Sequence, residues 1–436
     1  MTAKRRLRRS YMTKEGMKHM TKRKWICWGM TLFIIGCLCG CGNKGTVDEG
    51  AERLPGSSLE SSVENTDESV NTPESSQESE PTPAPEQEEI KVQQHEITMA
   101  NVSPVDMVAD MRIGWNLGNT LDATGGSGLS SETSWGNPKT TKEMIDAIVD
   151  AGFNVIRIPI TWDGHFGSAP DYKIDEAWLN RVQEVVDYAA QRDVYVIINC
   201  HHEEWHFPSE KNKEQASEIL KALWTQIAER FRDYDEKLIF EGLNEPRKKG
   251  TNMEWNGGDY EGKQVVNHFA KVFVETVRAT GGNNSIRNLM VTGYAASNNK
   301  DTLKSLRWPK DSHIIVSVHA YTPYEFSLNI TGTAEWDIEK DIRDIDYLMQ
   351  TIDEVFLQKG TPVIIGEFGA LNKENEAERV EWVTYYLTKA KEIGVPCVWW
   401  DNGSFQGSGE NFGLINRREL TFPYPDLLKA IMDATE

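Results

Sequence analysis

With 436 residues and a formal net charge of −20, the chain is long enough for one large domain or two to three small ones. So acidic a balance argues against nucleic acid as a partner, because phosphate binding needs clustered Lys and Arg, and it suits neutral better than acidic polymers. Only 39% of the residues are hydrophobic, too few for a uniformly folded chain, so part of it is expected to stay unfolded.

Residues 1–41 read as an address. Lys4 to Lys24 is rich in Lys and Arg, an apolar run follows from Trp25 to Leu38, and small residues lead to Cys41. A basic region, a short apolar core and a small-residue cleavage site make a signal peptide, and the run is short for spanning a bilayer. The translation start falls at Met1, Met17 or Met20. Leu38-Cys39-Gly40-Cys41 resembles a bacterial lipobox, which implies cleavage before Cys41 and lipid on its sulfur. Ile34-Ile35-Gly36-Cys37 is a second candidate, with Cys37 modified instead. Either implies a membrane anchor and a cell-surface location. Cys27 and Cys39 also lie in this segment, leaving Cys200 and Cys397 alone beyond it, so no disulfide framework is indicated.

Residues 42–95 are Ser, Glu, Pro and Thr with almost no aromatic residue, and cannot bury enough apolar surface to offset their ordering entropy. The stretch Glu78 to Glu86 is expected to be an extended, self-repelling linker.

From residue 96 to 436 short apolar runs alternate with longer amphipathic ones. The strand candidates are Arg112–Gly118, Asn154–Ile160, Val194–His202, Leu238–Glu245, Leu289–Tyr294, Ile314–Tyr321, Pro362–Gly369 and Val395–Asn402. Most are Val- and Ile-rich and nearly continuous in apolar character, as parallel strands buried on both faces are. Helical periodicity marks Lys142–Ala151, Glu176–Gln191, Lys213–Phe231, Lys263–Ala279, Trp336–Leu357, Glu376–Ile393 and Pro425–Ala434, with a weak signal around Thr302–Leu306. Gly152, Gly281, Gly360 and Gly394 stand where helix ends favour positive φ. Strand–helix alternation of this kind predicts an α/β fold, a (β/α)8 TIM barrel. A doubly wound open sheet is the rival, but no Gly-x-Gly-x-x-Gly turn follows any strand.

Catalytic groups of such barrels sit at the C-terminal strand ends. There the chain places Asn116 and Asn119, Arg157, His201-His202-Glu203, Asn244-Glu245, His319-Ala320-Tyr321, Glu367, and Trp399-Trp400-Asp401-Asn402. Glu245 and Glu367, on the fourth and seventh strands, would face each other across the mouth. A pair of carboxyls, one protonated and one ionised, suits glycosidic bond cleavage. Mutual charge and partial burial are expected to raise the protonated one, and Arg157 to keep the other ionised. Trp135, Trp162, Trp205, Trp255, Tyr321, Tyr324 and Trp400 lie at strand ends or in the loops after them. Trp135, Trp205 and Trp255 read as sugar platforms, Trp224 and Trp382 as core.

His202-Glu203-Glu204-Trp205-His206 matches the zinc-peptidase pattern His-Glu-x-x-His, which works only on a helix. Here strand-like residues precede it and Pro208 follows, so no metal is expected. Gly125-Gly126-Ser127-Gly128 has no following Lys-Ser/Thr and reads as a loop, not a phosphate cradle.

Gly242-Leu243-Asn244-Glu245-Pro246 and Ile365-Gly366-Glu367-Phe368-Gly369 resemble glycoside hydrolase family 5, the cellulase family. Gly114 to Asp122 and Trp399 to Gly403 are similar to its endoglucanase and xyloglucan-active branch. The resemblance spans about Met111 to Asn402. It implies a retaining endo-β-1,4-glucanase acting on cellulose-type glucan, lichenan or xyloglucan without a cofactor, with xylanase or mannanase as alternatives on the same scaffold. It further implies Glu245 as acid/base, Glu367 as nucleophile and Asn244 on the sugar 2-hydroxyl. Arg157 and Tyr321 would orient Glu367; His201, His202, His319 and Asn119 would line the sugar site. Trp400 would stack under the reacting sugar, or Trp399 if the strand phase differs. A monomer is expected. A non-catalytic glycan-binding lipoprotein on the same barrel is a further reading, but it expects one of the two glutamates to be missing.

Overall fold

The computed structural model describes residues 95–436. The expected signal segment, the lipidation candidates Cys41 and Cys37, and the linker up to residue 94 lie outside the described residues.

Eight parallel strands close in sequence order into a barrel. They are β1 (Ile113–Leu117), β2 (Val155–Ile158), β3 (Tyr195–Asn199), β4 (Leu238–Glu241), β5 (Leu289–Ser297), β6 (Ile314–His319), β7 (Val363–Phe368) and β8 (Cys397–Asp401). Each lies on its sequence candidate. All but β5 are shorter, because the polar residues at the C-terminal ends leave the ladder to form the mouth. β5 runs further, through Ala295 and Ala296 at positive φ, where its register with β6 shifts.

Alternation along the strands builds the interior in layers. Val155, Ile197, Ile239, Met290, Ile315, Ile364 and Val398 form one apolar floor. Helix α1 (Pro104–Asp110), absent from the sequence expectations, plugs that floor from below with Met107 and Val108, joined by Met111. Ser103 caps it through Asp106 N–H, and Pro104 opens it. Two residues further along each strand, the inward layer turns polar: Asn116, Arg157, Asn199, Glu241, Thr292, Ser317, then Gly366 and Trp400. This second layer is the base of the candidate site.

Outside the strands pack α2 (Lys142–Asp150), α3 (Glu176–Ala190), α4 (Lys213–Arg230), α5 (Tyr260–Ala279), the short α6 (Lys300–Ser305) and α7 (Tyr324–Ser327), α8 (Ile342–Val355), α9 (Glu376–Glu392) and α10 (Pro425–Thr435). Their apolar stripes share one continuous core with the outward strand residues, including Trp224 and Trp382 as expected. The four helix-end glycines all have positive φ: 114°, 70°, 75° and 71° for Gly152, Gly281, Gly360 and Gly394. α5 starts earlier than its apolar pattern because Asp259 caps it at Gly262 N–H while its first residue, Tyr260, faces solvent. α8 starts later than expected. Trp336 fits the helical period, yet it packs against Phe326, and Asp337 to Asp341 make a separate turn.

Candidate active site

Arg157 organises the site. Its guanidinium donates four hydrogen bonds, to four different side chains. Nε donates to Glu241 Oε2 (2.8 Å), Nη1 to Asn116 Oδ1 and Glu367 Oε1 (both 2.8 Å), and Nη2 to Asn244 Oδ1 (2.6 Å) with Glu241 Oε2 2.7 Å away. The guanidinium is wholly buried. A buried charge of this kind needs paired carboxylates, and Glu241 and Glu367 supply them. Because Arg157 takes the Asn244 carbonyl oxygen, the Asn244 amide N–H groups are left to face the cleft.

Glu367 receives Arg157 on one oxygen and the Tyr321 hydroxyl on the other (3.0 Å). His319 Nδ1 lies 2.8 Å from Glu245 Oε1 and 3.5 Å from Glu367 Oε2. One oxygen of each glutamate and one nitrogen of His319 all lie within 4.8 Å of one another. Gly366 makes this approach possible: a Cβ there would stand 2.7 Å from Ser317 Oγ and 3.3 Å from His319 Nε2.

The electrostatics differ from the sequence expectation. Burial would push Glu245 up, but the His319 hydrogen bond and charge, with Arg247 and His202, hold it below its ordinary range. Burial pushes Glu367 up, against His319 and Arg157. Glu245 and His319 therefore hold one proton between them. Burial would push His319 down, but the charge of Glu367 and the hydrogen bond and charge of Glu245 hold it above the ordinary imidazole range, so in the resting pair the proton leans toward the imidazole.

His201 is held flat against Trp400, with ring centroids 5.8 Å apart and planes 2° from parallel. Asn199 fixes its tautomer. Asn199 Oδ1 accepts the Ile160 N–H, so its Nδ2 faces His201 Nδ1 at 3.2 Å and Glu241 Oε2 at 3.0 Å. His201 Nδ1 is then an acceptor, and Nε2 carries the proton. Asp122, His201 and His202 bring one carboxylate oxygen and two ring nitrogens within 4.8 Å of one another. Burial lifts Asp122 to about 6, opposed by the Thr120 and Asn119 N–H groups.

The other expected site residues divide. Trp400 is inward and Trp399 is core, its indole N–H on Phe412 O, so the strand phase selects Trp400. His202 is partly exposed against the Trp135 ring. Trp255 is 62% exposed and lies face-on to the Arg247 guanidinium, 4.1 Å from its centroid. Arg247 Nη1 in turn stands 3.6 Å from Glu245 Oε2. Tyr324 is exposed at the start of α7, shortly after β6. Asn119, at positive φ, engages through its backbone: its N–H meets Asp122 and its carbonyl accepts Asn137. Trp162 is wholly buried, its indole N–H on Asn199 O, so it is no sugar platform. Trp205 is half-buried against the core with its N–H on Glu203 (2.7 Å), a brace instead of the expected platform.

The His-Glu-x-x-His pentad is a run of bends and turns, so its histidines share no helical face. Glu203 instead joins two loops, accepting Trp162 N–H and Trp205 Nε1–H, and burial lifts it to about 8. Sequence reasoning assigned no role to Asn116, Glu241, Asn199, Ser317 or Arg247. The first four were detectable as polar residues in the inward phase of otherwise apolar strands.

A profile described as cellulase, glycosyl hydrolase family 5, matches residues 120–406. The chain belongs to glycosyl hydrolase family 5. The enzyme is 52% identical over 342 residues to an endoglucanase B of Neocallimastix patriciarum, covering 77% of this chain and 72% of that one. It is 50% identical over 339 residues to an endoglucanase A of Ruminococcus albus, covering 76% and 93%. Among solved structures it resembles a broad-specificity endoglucanase from Ruminococcus champanellensis with bound cellotriose. There the TM-score is 0.76, the identity 50%, and the coverage 77% of this chain and 99% of that one. The enzyme is a glycoside hydrolase of the endoglucanase type.

Proposed function

We propose that the enzyme hydrolyses internal β-1,4 bonds of soluble β-glucans by double displacement, with Glu245 as acid/base and Glu367 as nucleophile. The observation that carries this reading is the close approach of the two carboxylates across one cleft, within 4.8 Å at their nearest oxygens. Retaining chemistry needs such closeness, whereas inversion needs room for a water between the two groups. The surroundings separate the roles. Glu367 accepts hydrogen bonds from the Arg157 guanidinium and the Tyr321 phenol, which favour the ionised nucleophile. Glu245 has His319, with which it shares a proton for the leaving oxygen. Asn244 turns its N–H groups toward the sugar 2-hydroxyl, His201 offers Nε2–H, and Trp400 gives an apolar face under the ring. His202 and Asn119 line the same side.

A broad-specificity relative with cellotriose bound, and others described as a lichenase and a xyloglucan-specific endo-β-1,4-glucanase, support cellulose-type glucan, lichenan and xyloglucan as substrates. A reducing-sugar assay on a polysaccharide panel tests this with the wild type, Glu245→Gln and Glu367→Gln. Both variants are expected to fold and to lose at least about a thousandfold in turnover. Undiminished turnover in either would overturn the assignment, and a wild type active only on xylan or mannan would redirect the substrate.

The N-terminal reading continues this proposal. Residues 1–41 direct export, Cys41 carries the lipid, and residues 42–95 hold a catalytic unit of residues 96–436 away from the membrane as a monomer at the cell surface. Metabolic labelling with a radioactive fatty acid should mark the wild type and not Cys41→Ser. Label that persists in this variant and is lost in Cys37→Ser would move the site.

A further inference from the structure

We infer that Glu241, wholly buried beneath the cleft, is a positioning residue that divides the charge of Arg157 with Glu367 and, through Asn199, fixes the proton of His201 on Nε2. The inference rests on Glu367 being the nucleophile.

Glu241 ends β4 one turn of chain before Glu245 and has no exposed surface. Its Oε2 accepts Arg157 Nε and Asn199 Nδ2, and its Oε1 accepts the Ser317 hydroxyl at 2.7 Å. Three strands, β2, β3 and β6, are thus tied to one carboxylate from inside the barrel. As a partner of the buried Arg157 the carboxylate has a structural use, and the layer directly below it is apolar. A carboxylate at this place has an electrostatic consequence. Arg157 contacts two anions, Glu241 and Glu367, with N–H groups of the same guanidinium. Each anion reduces the positive field that the other feels.

The groups facing Glu367 set the sign. Arg157 faces it from β2, Glu245 from the loop after β4, and His319 with Tyr321 from β6 and its loop. Asn116 from β1 and Trp400 from β8 carry no charge. Removing the charge of Glu241 leaves Arg157 wholly to Glu367. The nucleophile then stays ionised to lower pH. The Gln side chain can keep its carbonyl on Arg157 and Asn199 and turn its amide toward Ser317.

The test is the pH profile of kcat/KM on an aryl cellobioside, whose acid limb reports the free enzyme's nucleophile. In Glu241→Gln the acid limb should move down by about one pH unit, even where kcat itself falls. In Ser317→Ala, Glu241 loses a donor that tempers its charge, so the limb should move up. A merely structural role would lower activity in both variants and move neither limb. An unmoved or raised limb in Glu241→Gln, or an unmoved or lowered limb in Ser317→Ala, overturns the inference, and Ser317→Ala decides alone if Glu241→Gln does not fold. Mass spectrometry after trapping with a 2-deoxy-2-fluoro cellobioside keeps the two readings apart. Label on a residue other than Glu367 refutes the nucleophile, whereas label on Glu367 with unmoved limbs refutes only the role of Glu241.

Discussion

His319 Nδ1 lies 2.8 Å from Glu245 Oε1, a hydrogen bond that ties the imidazole to one carboxyl of the facing pair. His319 also stands 3.5 Å from Glu367 Oε2. In His319→Leu Glu245 loses a hydrogen bond and Glu367 a facing imidazole charge while both stay buried, and burial raises a carboxyl. Both limbs of the kcat/KM profile should therefore move to higher pH. A profile that keeps its midpoints while losing height would remove His319 from proton control.

Tyr321 donates to Glu367 Oε2 at 3.0 Å. A hydrogen bond to a charged group contributes about 1.5–3 kcal/mol. Tyr321→Phe should lower kcat/KM by about 10- to 100-fold with the thermal midpoint little changed. Steady-state kinetics beside calorimetry checks both halves, and a fall in the midpoint with full activity would contradict it.

At Gly366 a methyl group would stand 2.7 Å from Ser317 Oγ and 3.3 Å from His319 Nε2. Gly366→Ala should cost about 1–3 kcal/mol of stability through overpacking. It should also cost more turnover than its stability loss explains, because Glu367 is the next residue. Denaturation curves and rates measured on the same preparation separate these effects.

Trp255 lies on the Arg247 side of Glu245, whereas Trp135 lies against His202. Loss of Trp255 should weaken hydrolysis of polymer by about tenfold while sparing an aryl cellobioside, whose leaving group is too small to reach it. Trp135→Ala should weaken both substrates. Equal loss on both substrates in Trp255→Ala would place that ring elsewhere in recognition.

Arg181 and Glu132 form a buried bidentate pair, both contacts 2.9 Å, far from the catalytic carboxyls in sequence and role. Arg181→Met leaves a buried carboxylate without its partner, at a cost of about 3–5 kcal/mol. Calorimetry should show a large drop in the thermal midpoint, while activity per folded molecule below that midpoint stays near wild type.

The barrel was legible because strands buried on both faces must be apolar throughout, and eight such runs stand between amphipathic segments. Glu245 and Glu367 were legible for a related reason: a carboxylate directly after a buried strand has few structural uses. The missed features share a physical cause. α1 is too short to show a period and is recognisable only by Ser103 and Pro104. Trp162 and Trp205 lie in polar stretches, yet their rings turn inward and only their N–H groups find polar partners. The direction of the Glu245 shift depends on which nitrogen of His319 meets an acceptor, a matter of ångströms that no pattern of residues encodes.

The grip of Arg157 and Tyr321 on Glu367 has a chemical corollary. Were Glu367 cut back to alanine, a guanidinium N–H and a phenol O–H would converge on an empty space of carboxylate size. Small anions such as azide or formate fit such a space. Added azide should then restore turnover of an activated aryl β-cellobioside and yield the α-glycosyl azide. Opposite stereochemistry is expected for Glu245→Ala, where azide intercepts the glycosyl-enzyme from the other face and gives the β-product.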